Sequence, residues 1–390
     1  MGKLYLESGW LAMNKAGEQL CGDHVETVNL EDSFIMVLAD GLGSGVKASI
    51  LSTLTAKILS TMLAGEMTVE DCVETIALTL PVCKDRGIAY CTFTILQVQK
   101  YTGEVYLVQF DNPDLILLRK GKSLDYPRQR REIAGKAIYE TRLQGQIGDL
   151  YIMMSDGAIH AGVGTVLNFG WQLPEIIDYA QRIYTPELSA KSMAATISDA
   201  CRDLYMGLPG DDTTIAALRI RQRQQVNLMI GPPMEKDQDE EICRDFFALE
   251  GKKIVCGGTT GTMVGRYLNQ PVLTTLDYYD KDIPPIAKIK GVDLVTEGVI
   301  TLARVVALAA QYVSTQIADP SWLTKQDGAS LIAKMLFEEA TNVNFYVGRA
   351  INPAHQDPNL PISLNLKLRL VEELGKYLEQ MGKTVRTRYY

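Results

Sequence analysis

The sequence is poor in histidine, and its cysteines form no recognisable pairs. Only three histidines occur in 390 residues: His24, His160 and His355. With so few histidines, a histidine-based catalytic triad or a histidine-rich metal site is not expected. The seven cysteines contain no Cys-x-x-Cys pair, which argues against a zinc knuckle or redox dithiol and favours free, mostly buried thiols in a reducing compartment. A metal site in this chain would need mainly oxygen ligands, which suits Mg²⁺ or Mn²⁺.

The sequence also lacks long apolar runs and an excess of positive charge. Its longest apolar stretch, near residues 305–313, is too short to span a bilayer. The first residues lead into mixed sequence rather than the apolar core of a signal peptide. These features predict a cytoplasmic protein without a membrane partner. The formal net charge of -8 argues against nucleic acid, and we interpret the basic group Arg128, Arg130 and Arg131 as a solvated loop.

The length and the residue pattern predict two domains, residues 1–222 and 223–390. In the first, adjacent strand-like segments lie between clusters of helical pattern, which favours an α+β layered fold. The polar segment 221–225 has no periodicity and is interpreted as a linker. Beyond it the pattern restarts as a smaller α/β domain. Strands are predicted at 33–39, 89–98, 104–110, 115–119, 149–155, 213–220, 226–230 and 253–256, and helices at 46–63, 69–80, 173–183, 189–204, 299–312 and 363–381, before a basic tail at 383–390.

Three short acidic elements stand at the ends of strand-like segments, and a fourth lies just upstream of the first. Apolar strands of this kind are buried, so each carboxylate is placed at the mouth of a core on rigid backbone. Isolated buried charge is very costly unless it is paired or bound to a cation, and several carboxylates on strand ends suit a hard divalent metal. One Asp-Gly alone would be an ordinary tight turn, but the recurrence favours metal-assisted chemistry. The elements are Gly22-Asp23, Asp40-Gly41 after segment 35–39, Asp156-Gly157 after segment 151–155, and Gly210-Asp211-Asp212-Thr213-Thr214.

In order and spacing, these elements resemble the motifs of the metal-dependent type 2C protein phosphatases. The likeness is greatest to the bacterial branch typified by stage II sporulation protein E, whose signatures read Ser-Gly-Asp, Ser-Asp-Gly-Met-Gly-Asn-Gly, Met-Ser-Asp-Gly and Asp-Asp-Met-Thr. It covers about residues 5–222, and each motif alone is weak whereas the four together are highly specific. The matching segments are Cys21-Gly22-Asp23, Leu38-Ala39-Asp40-Gly41-Leu42-Gly43-Ser44-Gly45, Met154-Ser155-Asp156-Gly157 and Gly210-Asp211-Asp212-Thr213-Thr214.

The resemblance implies a fold and a ligand set. The fold would be a sandwich of two antiparallel sheets flanked by helices, with two Mn²⁺ or Mg²⁺ ions at one end. Asp40 would bridge both ions, Asp156 and Asp211 would complete one, and Asp23 with the Gly41 carbonyl would hold the other. Asp212 stands where the wider superfamily often has asparagine, so its ligand role is less certain.

Three basic residues near these motifs have two interpretations each. Lys15 lies in the region where many relatives use an arginine to grip the substrate phosphate, although an exposed lysine is the commoner case. His24 and His160 could contact a metal-bound water or could be plain loop histidines. We leave them out of the predicted catalytic set, which is Asp23, Asp40, Asp156 and Asp211.

The resemblance predicts a phosphoserine/phosphothreonine protein phosphatase in which the two ions activate a bridging water to attack phosphorus. The expected substrate is a phosphorylated regulator, such as an anti-anti-sigma factor, and a homodimer remains open. One alternative is a phosphatase-like sensor or scaffold whose C-terminal domain binds a metabolite or protein. Another is a phosphohydrolase acting on a small molecule or nucleotide.

The second domain carries no recognised family motif. Its most informative segment, residues 253–264, is predicted to form a strand, a glycine-rich turn at Gly257-Gly258-Thr259-Thr260 and a helix. Such a turn could bind an anion through backbone N–H groups, or it could be a structural turn with a threonine N-cap. Asp293 and Glu297 could line an opposite wall, although helix capping explains Glu297 without a site.

Overall fold

The structure is a computed structural model that describes residues 3–79, 91–274, 282–314, 320–350 and 362–390. It divides into two compact units, Met1–Gln222 and Arg223–Tyr390. The strands of the first unit are β1 Tyr5–Met13, β2 Asp23–Asn29, β3 Ser33–Gly41, β4 Cys91–Gln99, β5 Glu104–Phe110, β6 Ile116–Arg119, β7 Lys122–Ser123, β8 Gln129–Ile133, β9 Lys136–Gln144, β10 Leu150–Met154 and β11 Thr213–Arg221. Its helices are α1 Gly45–Ala64, α2 Val69–Thr79, α3 Asp156–Ile159, α4 Leu173–Ile183 and α5 Ala190–Leu204.

Two antiparallel sheets pack face to face in the first unit. One has the strand order β1-β11-β10-β6-β7, and the other has the order β2-β3-β4-β5-β9-β8. Strand β3 is apolar from Phe34 to Ala39 because both of its faces are buried there. Met36 and Leu38 point into the inter-sheet core, whereas Ile35 and Val37 point toward α1 and α2. Helix α5 packs against β1 and β11. The predicted helix-flanked antiparallel sandwich is confirmed.

Helix α1 lies on the outer face of the second sheet. It is long and apolar enough, by length and composition alone, to cross a membrane. In the structure its residues Ala56, Leu59 and Leu63 are buried against that sheet. Core packing therefore accounts for one face of α1, whereas Val46, Ile50 and Leu54 on the same helix are exposed.

Strands β2 and β3 form a hairpin whose register places Asp23 opposite Asp40 at the open end and Asn29 opposite Phe34 beside the turn. Lys100 fixes that turn, since its Nζ donates to the side-chain oxygen of Asn29 at 2.7 Å and also to the Leu30 carbonyl. The geometry of this turn thus sets the strand register that places Asp23 opposite Asp40.

Several segments differ from their predictions. Arg221, predicted as linker, ends β11 as a buried residue paired with Glu7 at 3.1 Å, because strand β1 supplies the counter-charge. Arg130 and Arg131 lie in β8 rather than in a loop, and Arg131 pairs with glutamates on α2 and β9. Strands β1, β2, β7, β8 and β9 were not predicted. The six described cysteines are free, as expected.

The second unit is an α/β layer built on one mostly parallel sheet in the order β14-β15-β16-β13-β12-β17-β18. The segment predicted as a basic tail instead forms an edge strand, since it pairs in parallel with its neighbour in the sheet. The strands are β12 Gln225–Ile230, β13 Lys252–Cys256, β14 Leu273–Thr274, β15 Ala287–Lys288, β16 Leu294–Thr296, β17 Asn342–Val347 and β18 Thr384–Tyr389. The helices are α6 Asp239–Ala248, α7 Gly258–Leu268, α8 Val299–Ser314, α9 Gly328–Ala333 and α10 Ile362–Gln380, with 3₁₀ turns at Lys236–Gln238 and Pro320–Leu323 and a π-helical turn at Lys334–Glu339.

Candidate metal centre

The hairpin β2–β3 supplies two of the acidic residues predicted from the sequence. Asp23 begins β2, and Asp40 lies directly across from it near the end of β3. The next residue, Gly41, donates its N–H to the Gly22 carbonyl at 3.2 Å. Like charges directly opposite each other on paired strands repel, so this pairing needs a compensating positive charge when both are ionised.

The other sheet supplies the remaining three. Asp156 follows β10 and opens the short helix α3, while Asp211 and Asp212 immediately precede β11. The chain is held here by the Ser155 N–H, which donates to Thr214 O at 3.1 Å, and by the Thr214 N–H, which donates to Ser155 Oγ at 2.9 Å. Adjacent antiparallel strands thus deliver all three carboxylates to one end of the sandwich.

Two glycines allow these segments to approach closely. A Cβ added to Gly22 would lie 2.7 Å from Asp212 Oδ2, and one added to Gly157 would collide with the Asp212 carbonyl oxygen. A side chain at either position would force the Asp212 segment away. The glycines before Asp23 and after Asp156 therefore serve the assembly of the site as well as its turns.

The two most buried carboxylates of the cluster have side-chain oxygens without a hydrogen-bond partner. Asp23 is 6% exposed, and neither of its side-chain oxygens has a partner; Asp212 Oδ2 is likewise unpartnered. Orphaned buried oxygens of this kind are costly, and a donor set made only of oxygens suits a hard cation. Among the described residues, no three His, Cys, Asp or Glu side chains lie close enough to enclose an ion already.

The protonation of the cluster reflects its burial and mutual repulsion. Burial raises the pKa of Asp40 to about 9, and the charges of Asp23 and Asp156 add to the effect. Burial also raises the pKa of Asp23 to about 7, although the nearby hydroxyls of Ser155 and Thr214, which lie outside hydrogen-bond geometry, oppose the shift. The pKa values of Asp156 and Asp212 are raised as well, chiefly by burial. A cation is the natural way to keep these groups ionised at neutral pH.

The structure separates the three basic residues whose roles were left open. Lys15 belongs to the site: its N–H donates to Asp212 Oδ1 at 3.0 Å, and its Nζ lies 3.6 Å from Asp211 Oδ1. His160 lies 4.0 Å from Asp156 at the exposed rim. His24 instead contacts Glu26 at 3.3 Å.

Sequence reasoning missed the residues that support the acidic cluster. Besides Ser155 and Thr214, the Tyr205 hydroxyl donates to the Gly157 carbonyl at 2.7 Å and fixes the start of α3. Ser155 and Thr214 lie within the motifs, but the motifs predict no role for them. Tyr205 follows α5, and no local pattern marks it.

Comparison with known proteins identifies a family domain in this unit. Residues 31–221 match the family model described as stage II sporulation protein E (SpoIIE). No match was found among curated proteins.

Three solved structures illustrate the likeness. The PP2C phosphatase domain of SpoIIE from Bacillus subtilis, with a fragment of its regulatory domain, is 19% identical with a TM-score of 0.49; the match covers 57% of this chain and 65% of that one, just under two thirds. The RsbU and RsbW domains of a Mycobacterium tuberculosis protein are 18% identical over 63% and 70% of the two chains, with a TM-score of 0.45. The catalytic domain of the serine/threonine phosphatase PstP, in complex with two manganese ions, is 16% identical over 56% and 100%, with a TM-score of 0.38.

The family match spans Asp40, Asp156 and Asp211, and the structure places them, with Asp23, at one end of an antiparallel sandwich. In residues 31–221 this chain therefore carries a PP2C-type phosphatase domain of the stage II sporulation protein E family.

Proposed function

We propose that this chain is a Mn²⁺- or Mg²⁺-dependent serine/threonine protein phosphatase that acts on a phosphorylated regulatory protein. The observation that carries the proposal is the unpartnered, buried carboxylate of Asp23, which faces Asp40 inside a SpoIIE-family domain. A phosphorylated regulator of the anti-anti-sigma type is the substrate class that this family membership favours.

The aspartates divide into two groups that would hold two ions. Asp40 lies opposite Asp23 across the hairpin, and the charges of Asp23, Asp156 and Asp211 all raise its pKa. We assign Asp40 to both ions, Asp156 and Asp211 to one, and Asp23 with the Gly41 carbonyl to the other. Asp212 already accepts the Lys15 N–H through one oxygen, so we give it a supporting role.

Bound divalent ions would supply an activated water and would offset the negative charge of the phosphate. The protein's own contribution is to hold the carboxylates on strand ends, so that little reorganisation is needed during reaction. Lys15 supplies a partly exposed ammonium at the rim. We assign Lys15 to binding the substrate phosphate. Its ammonium would leave Asp211 and form an ion pair with the phosphate instead.

The test is metal-dependent phosphate release from phosphoserine and phosphothreonine peptides by the full-length protein. Wild type should be active with Mn²⁺ or Mg²⁺ and inactive in EDTA. Asp40→Asn should lower turnover at least about a hundredfold, since a ligand contributes more than the outer-shell groups whose loss costs tenfold to a hundredfold. Asp125→Asn is the matched control, because Asp125 is exposed and outside the cluster.

The same assay separates the alternatives. Turnover of free nucleotide without turnover of any phosphopeptide would favour a small-molecule phosphohydrolase. A wild-type protein that releases no phosphate from either substrate with any divalent metal would contradict the enzyme proposal and favour a sensor or scaffold. Equal activity of Asp40→Asn and wild type would contradict the assigned metal centre.

A further inference from the structure

The sheet of the second unit reverses its direction of winding at one point. The chain runs outward from β12 to β13 and β16, and then crosses back to β17 and β18 on the other side of β12. Helices α6 and α7 pack on one face of the sheet, while α8, α9 and α10 pack on the other. In doubly wound sheets of this kind, ligands bind outside the carboxyl ends of the strands where the order reverses. Here that crevice lies beyond the ends of β12 and β17.

Two glycines stand at the ends of these two strands. Gly231 follows β12 with a φ of +81°, and Gly348 follows β17. A Cβ added to Gly348 would collide with the Pro232 carbonyl, and the Gly348 N–H donates to Ile230 O at 2.9 Å. The two strand ends are therefore in direct contact and present backbone rather than side chains.

A buried lysine reaches this point from α10. Lys367 is only 7% exposed, its ammonium donates to the Gly348 carbonyl, and its Nζ would lie 2.5 Å from a Cβ added to Gly231. Burial lowers the pKa of Lys367 to about 8, and among the described residues no carboxylate accompanies it. An ammonium has three donors, and a buried charge is unfavourable without a counter-charge. The Gly348 carbonyl accepts only one hydrogen bond from the Lys367 ammonium and carries no negative charge. The ammonium therefore still needs two acceptors and a counter-ion.

The glycine-rich turn adjoins the same strand end. The N–H of Gly231 donates to Thr260 Oγ1 in the first turn of α7 at 2.9 Å. Gly257, not a threonine, occupies the N-cap position, with a φ of 105° that side chains rarely adopt, and it makes no side-chain cap. The first backbone N–H groups of α7 therefore have no acceptor within the helix, as at any helix start, and can donate to a ligand. The expected Thr N-cap is wrong, because Thr260 is used to hold Gly231.

The two residues considered for the opposite wall have structural partners instead. Asp293 accepts the Lys253 N–H at 2.7 Å, and Glu297 accepts the Ile300 N–H at 3.1 Å at the start of α8. Each of these two carboxylates therefore accepts a backbone N–H at the start of a strand or helix.

We propose that the crevice at the ends of β12 and β17 binds the phosphate group of a small molecule, with Lys367 as its counter-ion and the first N–H groups of α7 as further donors. A phosphate offers several acceptor oxygens in a tetrahedral arrangement, so it can accept from an ammonium and from helix-start amides together. The site is separate from the metal centre and does not rest on the phosphatase activity.

The experiment titrates inorganic phosphate into the full-length protein by calorimetry. EDTA is present throughout, so that the metal centre does not contribute. Lys367→Met should weaken phosphate binding about tenfold or more, since it removes a charge-assisted hydrogen bond. Lys376→Gln is the matched control, because it removes an exposed lysine from the same helix and should bind as wild type does.

A second variant tests the site without touching the buried lysine. Gly258→Pro removes one N–H at the first position of α7, where proline is compatible with a helix start and an added Cβ meets nothing within 4 Å. It should weaken phosphate binding about threefold to tenfold. If Lys367→Met does not fold, this variant decides. Absence of saturable binding by wild type, or wild-type affinity in Gly258→Pro and in folded Lys367→Met, would overturn the proposal. Parallel titrations with AMP and glucose 6-phosphate would identify which kind of molecule carries the phosphate.

Discussion

At the scale of single residues, the proposed metal centre destabilises the folded protein when no cation is bound. Asp23 is buried without partners, and Asp40 faces it across the hairpin. Both carboxyl groups have raised pKa values, chiefly because of burial. The folded, metal-free protein therefore binds these protons more tightly than the unfolded chain does.

This difference gives the metal-free protein a specific pH dependence. A carboxyl group whose pKa is raised by folding lowers the stability as pH rises from its ordinary value of about 3.8 toward its folded value of about 9 for Asp40. We expect Asp40→Asn in EDTA to be more stable than wild type at pH 8 by at least about 1 kcal/mol, and the advantage to shrink toward pH 4. Urea unfolding at several pH values measures it.

Two controls accompany this measurement. Asp125→Asn should follow wild type at every pH, because its carboxylate is exposed. Mn²⁺ should stabilise wild type more than Asp40→Asn, because it binds only the folded site. An Asp40→Asn variant that is less stable than metal-free wild type at pH 8 would argue against a repulsive cluster.

Asp40, Asp156 and Asp211 could be predicted from the sequence because each lies at the end or start of a segment with a clear apolar pattern. Asp23 begins the weakly patterned β2 and was predicted only as part of the set of four motifs. Lys15 could not be assigned, since its contacts with Asp211 and Asp212 join positions almost 200 residues apart. Lys367 was missed for a related reason. It lies on an amphipathic helix with no local motif, and only the strand order brings it to Gly231.

At the scale of elements, β1 and β11 are joined by a buried ion pair. Arg221 Nη1 lies 3.1 Å from Glu7 Oε2, and both side chains are about 95% buried. Glu7 also accepts the Ala190 N–H at the start of α5 at 3.3 Å. The pair thus connects the edge strand, its neighbour and the covering helix.

Removing one partner of this pair should be strongly destabilising. Arg221→Met leaves Glu7 buried without its counter-charge, and we expect a loss of about 3–5 kcal/mol in the free energy of unfolding. Arg142→Met, which breaks an exposed pair with Glu104, should cost about 1 kcal/mol or less. The double variant Glu7→Leu/Arg221→Met should recover much of the loss. A small effect of Arg221→Met alone in chemical denaturation would refute this account.

Elements with clear periodicity were predicted close to their observed bounds, as for α4 and β5. The strands that were missed carry weaker signals. Strand β2 contains charged and polar residues at most positions and is only half buried, because it lies at the sheet edge. Strand β18 is exposed and basic, and its pairing depends on the distant β17.

At the scale of the whole molecule, the chain combines two architectures that present functional groups differently. The first unit gathers carboxylates at the end of an antiparallel sandwich, and the second gathers backbone donors and a lysine at the end of a parallel sheet. The fold class of each unit could be predicted from the alternation of segments. The strand order could not, since it depends on pairing between distant segments.

The hairpin register has a consequence for tolerance to insertions. Asp23 and Asp40 face each other because the turn between β2 and β3 has three residues, although the turn lies six residues along the strand from Asp23. One residue inserted into that turn would slip the pairing, so that Asp23 met a neighbour of Asp40 and the strand's alternate side chains exchanged faces. We expect such an insertion, about 20 Å from the metal centre, to abolish Mn²⁺ binding in calorimetry, whereas an insertion in the exposed β7–β8 connection at Asp125 should not. The number of residues in this turn therefore determines whether the two carboxylates of the proposed metal centre face each other.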